Sequence, residues 1–291
     1  MALLPVEQAT GVNRRRIGDI VVTALNDGCL DVDFSLLTGV SIQDAKTLMR
    51  AAHRPPEARM SVGAYLVQDG ERTALIDAGA GGFNGWGGRL RSALATVCVE
   101  PDEIDFVLLT HAHPDHIGGL AETDGTPVFK NAELVLSEIE YQFWTDPQYS
   151  ALSPKTKHPM FVFARNTFAA YGDRTRRVTG GEVMSGIEFI PLPGHTPGHG
   201  GYRISSGHSS LLIWGDIAHF PDVQILRPDV TIAFDTDPEK ACRTRYRTLD
   251  MVAANGELVG GQHLNFPGFI RVIRDGTTYR FYDEPWCPSL I

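Results

Sequence analysis

The run Thr110-His111-Ala112-His113-Pro114-Asp115-His116-Ile117-Gly118-Gly119 decides how this chain is read. Four side chains able to bind a metal fall within six residues of one another. Directly before them, Ile104 to Thr110 is an apolar run, as expected of a strand buried on both faces. In an extended segment side chains repeat every second residue, so His111 and His113 point to the same side. Pro114 keeps His113 out of the helical region. Asp115 and His116 fall where the chain turns toward a helix, so they face a neighbouring point. Imidazole nitrogens and carboxylate oxygens suit zinc and similar ions, and the spacing predicts two adjacent metal positions. The alternative is a histidine-rich surface loop, but such loops rarely follow a buried strand in this order.

Working outward, short strand-like runs alternate with helical ones. Ile20 to Leu25 reads as a strand that ends at the turn signal Asn26-Asp27-Gly28. Gly63 to Gln68 and Thr73 to Asp77 flank Asp69-Gly70, a hairpin signal. A glycine-rich loop, Gly79 to Gly88, leads into a helix from Arg89. Ile187 to Pro191 and Ser210 to Trp214 read as strands. A helix is predicted from Pro238 to Asn255, capped by Asp237 and ended by Gly256, with Cys242, Leu249, Val252 and Ala253 as its buried stripe. Glu257 to Gly260, Phe269 to Ile273 and Thr278 to Phe281 are closing strands. The alternation predicts a layered α/β domain with its helices outside. No composition break marks a linker, so residues 1–291 are read as one domain, the first ~20 of them an extended arm.

Composition narrows the partners. Of 291 residues, 43% are hydrophobic and 21% charged, ordinary for a soluble globular protein. The net charge of −9 argues against a nucleic-acid partner, which would need clustered Lys and Arg. The densest basic run, Arg14 to Arg16, reads as a solvated segment. No stretch approaches the ~20 apolar residues that span a bilayer, so no membrane partner is expected. Cys29, Cys98, Cys242 and Cys287 are scattered, which reads as free thiols in a reducing compartment. The chain start shows no secretory signal, so the expected location is cytoplasmic, or periplasmic or secreted if a leader has been removed.

His-x-His-x-Asp-His after a strand resembles the signature of the metallo-β-lactamase superfamily. That resemblance implies a four-layer αββα sandwich with the metals at one edge. It also implies three more ligands, and each has a matching position. Pro193-Gly194-His195-Thr196-Pro197-Gly198-His199 resembles the loop that supplies His195. Trp214-Gly215-Asp216 resembles the strand end that supplies a bridging aspartate, and Gly260-Gly261-Gln262-His263 the late histidine. By resemblance, His111, His113 and His195 would hold one ion, Asp115, His116 and His263 the other, and Asp216 would bridge them. The cofactors so implied are two divalent ions, zinc before manganese, iron or cobalt. His53, His158, His199 and His208 have no matching role and read as surface or hydrogen-bonded histidines.

Two such ions lower the pKa of a shared water and stabilise developing charge, which makes the reaction metal-assisted hydrolysis. Asp115 or Asp216 would orient the nucleophile. No Gly-x-Ser-x-Gly elbow offers a protein nucleophile. The bridging aspartate points to the lactonase, glyoxalase II and phosphodiesterase-like branches of the fold. Val223-Gln224, Pro228-Asp229-Val230-Thr231, Phe234-Asp235-Thr236-Asp237 and His263-Leu264-Asn265-Phe266-Pro267-Gly268 resemble the methyl parathion hydrolase group, whose relatives open acyl-homoserine lactones or cleave aryl esters. Related lactonases carry a tyrosine three residues after the bridging aspartate; here that position is His219, whose imidazole would donate to the substrate or line the pocket. Phe83, Trp86, Trp144, Phe161 and Phe163 are the candidates for an apolar pocket wall.

The expected function is hydrolysis of hydrophobic lactones, esters or organophosphate triesters. The alternatives are a glyoxalase II-like thioester hydrolase, a β-lactamase, or a non-catalytic binding protein on the same fold. Loss of a ligand would favour the last, and all seven positions are filled. A homodimer is left open.

Overall fold

The computed structural model describes residues 8–290. Its first sheet has seven strands in the order β1-β2-β4-β5-β6-β7-β8. These are β1 (Val12–Ile17), β2 (Ile20–Asp31), β4 (Arg59–Gln68), β5 (Thr73–Ile76), β6 (Phe106–Leu108), β7 (Glu133–Ser137) and β8 (Thr175–Val178). The first four pair antiparallel, and β5 to β8 run parallel. The second sheet also has seven strands, in the order β16-β15-β14-β12-β11-β10-β9. They are β9 (Gly181–Met184), β10 (Ile187–Pro191), β11 (Gly200–Ser206), β12 (Ser209–Ile213), β14 (Leu258–Gly260), β15 (Phe269–Asp275) and β16 (Thr278–Asp283). Only β12 and β14 pair parallel in it. A two-stranded ribbon joins β3 (Leu37–Thr38) to β13 (Thr231–Ile232).

The sheets meet face to face because their strands carry apolar residues on both sides. Val22, Tyr65, Val67 and Ile76 of the first share one buried cluster with Phe189, Tyr202, Ile204 and Ile213 of the second. The outer face of the first sheet, with Leu66, Leu75, Val107 and Leu134, packs under α2 (Leu90–Thr96), α4 (Glu138–Thr145) and α6 (His158–Tyr171). The outer face of the second, with Leu212, Val259, Ile270 and Val272, packs under α8 (Pro238–Asn255). The four-layer αββα sandwich expected from the sequence is the fold. The remaining helices are short or peripheral: α1 (Ile42–Ala51), α3 (Pro114–Ile117), α5 (Pro147–Leu152) and α7 (Pro221–Gln224).

Three local expectations need correction. The signal Asn26-Asp27-Gly28 is a bulge inside β2, not a turn: the pairing with β4 shifts register there and continues to Asp31. The bulge turns Asp27 inward, where its buried carboxylate accepts the backbone N–H groups of Ala80, Gly88 and Leu90 at 2.8, 3.0 and 2.7 Å. That ties down both ends of the glycine-rich loop. Part of the expected N-terminal arm, residues 1–7, lies outside the described residues; Val12–Ile17 forms the edge strand β1, paired with β2 through a tight reversal at Ile17↔Ile20. Its Arg14 and Arg16 are exposed, as a solvated basic run should be, but Arg15 between them is half-buried and donates to the carbonyls of Glu284 and Pro285.

The third correction concerns α8, whose buried stripe runs through Ala241, Thr244, Arg245, Thr248, Leu249 and Val252. Cys242 and Ala253 are only partly buried. Arg245 shifts the stripe because its buried guanidinium donates to the carbonyls of Ile217, Pro228 and Val230, at 2.6 to 2.9 Å. The predicted cap holds: Asp237 accepts from Lys240 N–H at 2.9 Å, and Gly256 ends the helix in the left-handed region. Asp237→Ala is expected to cost about 1 kcal/mol, seen as a lower urea midpoint at unchanged slope. All four cysteines are free.

Candidate metal centre

The polar residues of the site sit on loops at one edge of the sandwich. Asp77 follows β5, the run from Thr110 to His116 follows β6, Asp216 follows β12 and His263 follows β14. His195 lies on the loop between β10 and β11. Strands therefore fix where each loop starts, and close backbone packing fixes where it goes. Gly119 of the motif could not carry a side chain, since a Cβ there would lie 2.2 Å from the Ala78 carbonyl oxygen. Asp77 itself adopts φ of +59°, strained for an aspartate, and its N–H is held by the Leu108 carbonyl at 3.0 Å.

Three groups of ligand-type atoms converge, with all atoms of each group inside 4.8 Å: His111, His113, His195 and Asp216; Asp115, His116 and His263; and Asp216, His219 and His263. Asp216 connects them. Its Oδ2 lies 3.2 Å from His195 Nε2, 3.2 Å from His263 Nε2 and 3.1 Å from His219 Nε2, while Oδ1 lies 3.2 Å from His116 Nε2. All seven residues read as ligands from the sequence are thus brought together. His219 was expected only to face the substrate; it also comes within ligand reach of Asp216 and His263, with its ring stacked on His263 at 5.1 Å.

The outward nitrogens of these rings are held by the protein. Asp235 Oδ1 accepts from His195 Nδ1 at 2.8 Å, Asp77 Oδ2 from His116 Nδ1 at 2.8 Å, and the Ser61 carbonyl from His263 Nδ1 at 2.7 Å. His111 Nδ1 reaches Thr110 Oγ1 at 3.1 Å, and that hydroxyl donates to Asp77. Such partners fix the tautomer and aim Nε2 inward. His113 instead turns Nδ1 inward, 3.0 Å from His111 Nε2 and 2.9 Å from His195 Nε2. Three inward nitrogens at this spacing converge their lone pairs on one point. Buried His116 Nε2, Asp216 Oδ1 and both His219 nitrogens make no hydrogen bond. A donor set of this kind, with buried nitrogen and oxygen atoms that lack hydrogen-bond partners, fits a pair of cations.

The electrostatics agree. Burial pushes the His111 and His113 rings well below the usual histidine range, helped by the charge on neighbouring imidazoles. Burial also opposes charge on His116 and His195. At His116 the carboxylates of Asp216, Asp115 and Asp77 outweigh it and hold the ring well above that range. At His195, hydrogen bonds to Asp216 and Asp235 raise it to about 9. Asp216 is held well below the carboxylate range by His116, His263, His111 and His219, against the effect of burial. These protons stand where cations would supply the positive charge. His219 is pushed down to about 4 by burial, so it is a neutral donor or ligand.

Above Asp216 a cleft opens, lined by Leu30, Met60, Trp86, Met160 and Phe234 with His113, Pro114, Asp115 and His219. Of the five aromatics proposed as its wall, Trp86 lines it, and Phe83 backs Trp86 with Phe163 behind, at ring separations of 5.7 and 4.9 Å. Trp144 and Phe161 belong to the core under α4 and α6, packed on each other at 4.8 Å. Helical phase places them there, since Trp144 Nε1 must reach buried Glu140, at 2.6 Å. The sequence reading missed Leu30, Met60, Met160 and Phe234, which come from four separated segments. It also missed Lys157, a half-buried cation on the cleft wall whose amine burial holds below the usual lysine range. His199 is the hydrogen-bonded histidine expected: burial pushes it down to about 3, and its Nε2 accepts the Asp216 N–H at 2.9 Å.

Comparison with known proteins agrees with this architecture. Residues 59–263 match the family model of the metallo-beta-lactamase superfamily. The chain is 29% identical over 141 residues to the uncharacterized protein YobT of Bacillus subtilis, and 22% identical over 174 residues to the N-acyl homoserine lactonase AiiA of Bacillus thuringiensis subsp. kurstaki. These matches take in 48% and 53% of this chain and 56% and 62% of those two relatives. Among solved structures it is similar to the hydrolase AbOPH of the beta lactamase superfamily, with 32% identity and a TM-score of 0.90 over 97% of this chain and all of that one. It is equally superposable on AidC, a dizinc quorum-quenching lactonase in complex with the product N-hexanoyl-L-homoserine, with 25% identity and a TM-score of 0.90 over the same shares. With the αββα sandwich and the convergent loops at its edge, the family match over residues 59–263 makes the chain a member of the metallo-β-lactamase superfamily.

Proposed function

We propose that this protein hydrolyses uncharged lactones bearing an apolar chain, acyl-homoserine lactones first among them, with apolar esters and phosphotriesters as the second class. The observation that carries the reading is the joining of two ligand sets through Asp216 at the floor of a largely apolar cleft. The lactonase names borne by AiiA and AidC support it. His111, His113 and His195 would hold one ion and Asp115, His116 and His263 the other, with Asp216 between; their nitrogen and oxygen donors suit zinc. Ions so held supply water activation and stabilisation of developing negative charge.

The chain's own residues do the rest. Asp115 is the more accessible of the two carboxylates, its side chain 14% exposed against 2% for Asp216. We assign it to orient the attacking water and accept its proton. As the new C–O bond forms and the ring C–O bond breaks, that proton passes to the leaving alkoxide and the product is a hydroxy acid. His219, neutral by burial, donates to the substrate carbonyl in the role tyrosine takes in related lactonases. Leu30, Met60, Trp86, Met160 and Phe234 hold the acyl chain away from water.

Elemental analysis of protein purified without chelators is expected to give two ions per chain. Turnover of a hexanoyl lactone is expected to exceed that of a thioester and a cephalosporin. One ion or fewer, unaffected by added zinc or manganese, would sink the two-ion reading. A preferred thioester would sink the substrate class.

A further inference from the structure

Glu140 stands in no ligand set, yet it is among the most completely engaged side chains near the site. It lies in the first turn of α4 and is fully buried. Its Oε1 accepts the Ala112 N–H at 2.9 Å and Trp144 Nε1 at 2.6 Å. Its Oε2 accepts the Thr196 hydroxyl at 2.6 Å and the Gly198 N–H at 3.1 Å. Ala112 is the residue between His111 and His113, and Thr196 directly follows His195. One carboxylate therefore grips both loops that carry the first ligand set, although His113 and His195 are 82 residues apart in the chain. The fit is close: a Cβ on Gly198 would lie 2.1 Å from the Glu140 nitrogen. The second set hangs from other partners, His116 from Asp77 and His263 from the Ser61 carbonyl.

We propose that Glu140 is the positioning residue of one metal position only, that of His111, His113 and His195, through its simultaneous hold on the Ala112 and Gly198 backbone N–H groups and the Thr196 hydroxyl. A carboxylate is the only side chain suited to this place. It is acceptor-only, with two oxygens that each take two donors. Glutamine would keep the shape but turn an NH₂ group toward two of the four donors, so one loop must retreat. Asp235 holds the outer nitrogen of His195 alone and cannot set its distance from His111 and His113. The inference rests on the two-ion reading above and assigns an inequality between the ions that the reading does not contain.

The test is stepwise zinc binding to metal-free protein against a competing chelator. Partners of this kind are worth about 10–100-fold in metal affinity. Glu140→Gln is expected to weaken one of two binding steps by that factor and to leave the other. Two backgrounds identify the step. With His263→Ala, which disables the second set, Glu140→Gln should weaken the remaining ion. With His195→Ala, which disables the first, it should not. Thr196→Val, which removes one donor, should give the same pattern at smaller size, and Thr196→Ser should restore parent affinity. The Thr196 pair decides the matter if Glu140→Gln does not fold. Parent-like affinity in Glu140→Gln or Thr196→Val, or equal weakening in both backgrounds, would overturn the proposal. Failure of the two-ion reading shows separately and earlier, as a parent protein that takes up no pair of ions, and overturns this inference with it.

Discussion

Asp216→Ala is expected to lower kcat for lactone hydrolysis by about 10³-fold or more and to reduce bound metal below two ions per chain. The carboxylate lies within 3.1 to 3.2 Å of the inward nitrogens of His116, His195, His219 and His263. Among the described residues it is the carboxylate that belongs to two of the three ligand groups, and its Oδ1 reaches His116 of the third. Its removal takes away the one carboxylate that reaches the inward nitrogens of both sets, so two cations would face each other with less negative charge between them. Ions at such sites supply several kcal/mol of charge stabilisation, and each ~1.36 kcal/mol is tenfold in rate. The fold should survive, because Asp216 follows β12 and the apolar clusters between and outside the sheets do not include it. Circular dichroism and metal content measured with turnover check the expectation. Turnover within tenfold of the parent at normal metal content would reject the bridging role. Asp216→Asn separates shape from charge: it should stay nearer the alanine variant than the parent.

The parts of this protein legible in sequence were those set by short-range rules. Helix α8 could be bounded because Asp237, Pro238 and Gly256 act on the backbone beside them. The ligand residues could be found because the chemistry demands particular side chains at strand ends, and resemblance supplied the distant His195, Asp216 and His263. Where a local signal served a distant partner, reading it locally failed. Asn26-Asp27-Gly28 has the composition of a turn, but Asp27 is there to hold the loop from Ala80 to Leu90, and the strand runs on around it. Arg245 and Glu140 are charged residues within helices, which composition assigns to a solvated face. Each is buried because it meets backbone groups from segments remote in sequence. Glu140 lies beside Glu138 in a sequence with no feature that distinguishes the two. The cleft was least legible, because Leu30, Met60, Met160 and Phe234 share nothing but the place where the fold puts them.

Trp144→Ala and Trp86→Ala are expected to fail in opposite ways, and the contrast tests where substrate contact lies. Trp144 is 2% exposed, packs on Phe143 and Phe161 at 5.0 and 4.8 Å, and backs the His113 ring at 5.5 Å. Truncating it removes a large core side chain and one of the donors to Glu140, a loss of about 3–5 kcal/mol of stability. Any loss of activity should then follow metal loss and be the same for short and long substrates. Trp86 is half-buried on the cleft wall, supported by Phe83. Its truncation should barely move the urea midpoint but should remove apolar surface against which an acyl chain lies. Burial is worth about 0.8 kcal/mol per methylene, so losing contact with two methylenes lowers kcat/KM roughly tenfold at ~1.36 kcal/mol per tenfold. A decanoyl lactone should feel that loss and a butanoyl lactone much less. Equal losses on both lactones in Trp86→Ala would mean that the chain leaves the cleft by another wall. A stable Trp144→Ala with selective loss on the long substrate would return Trp144 to the pocket from which its burial removes it.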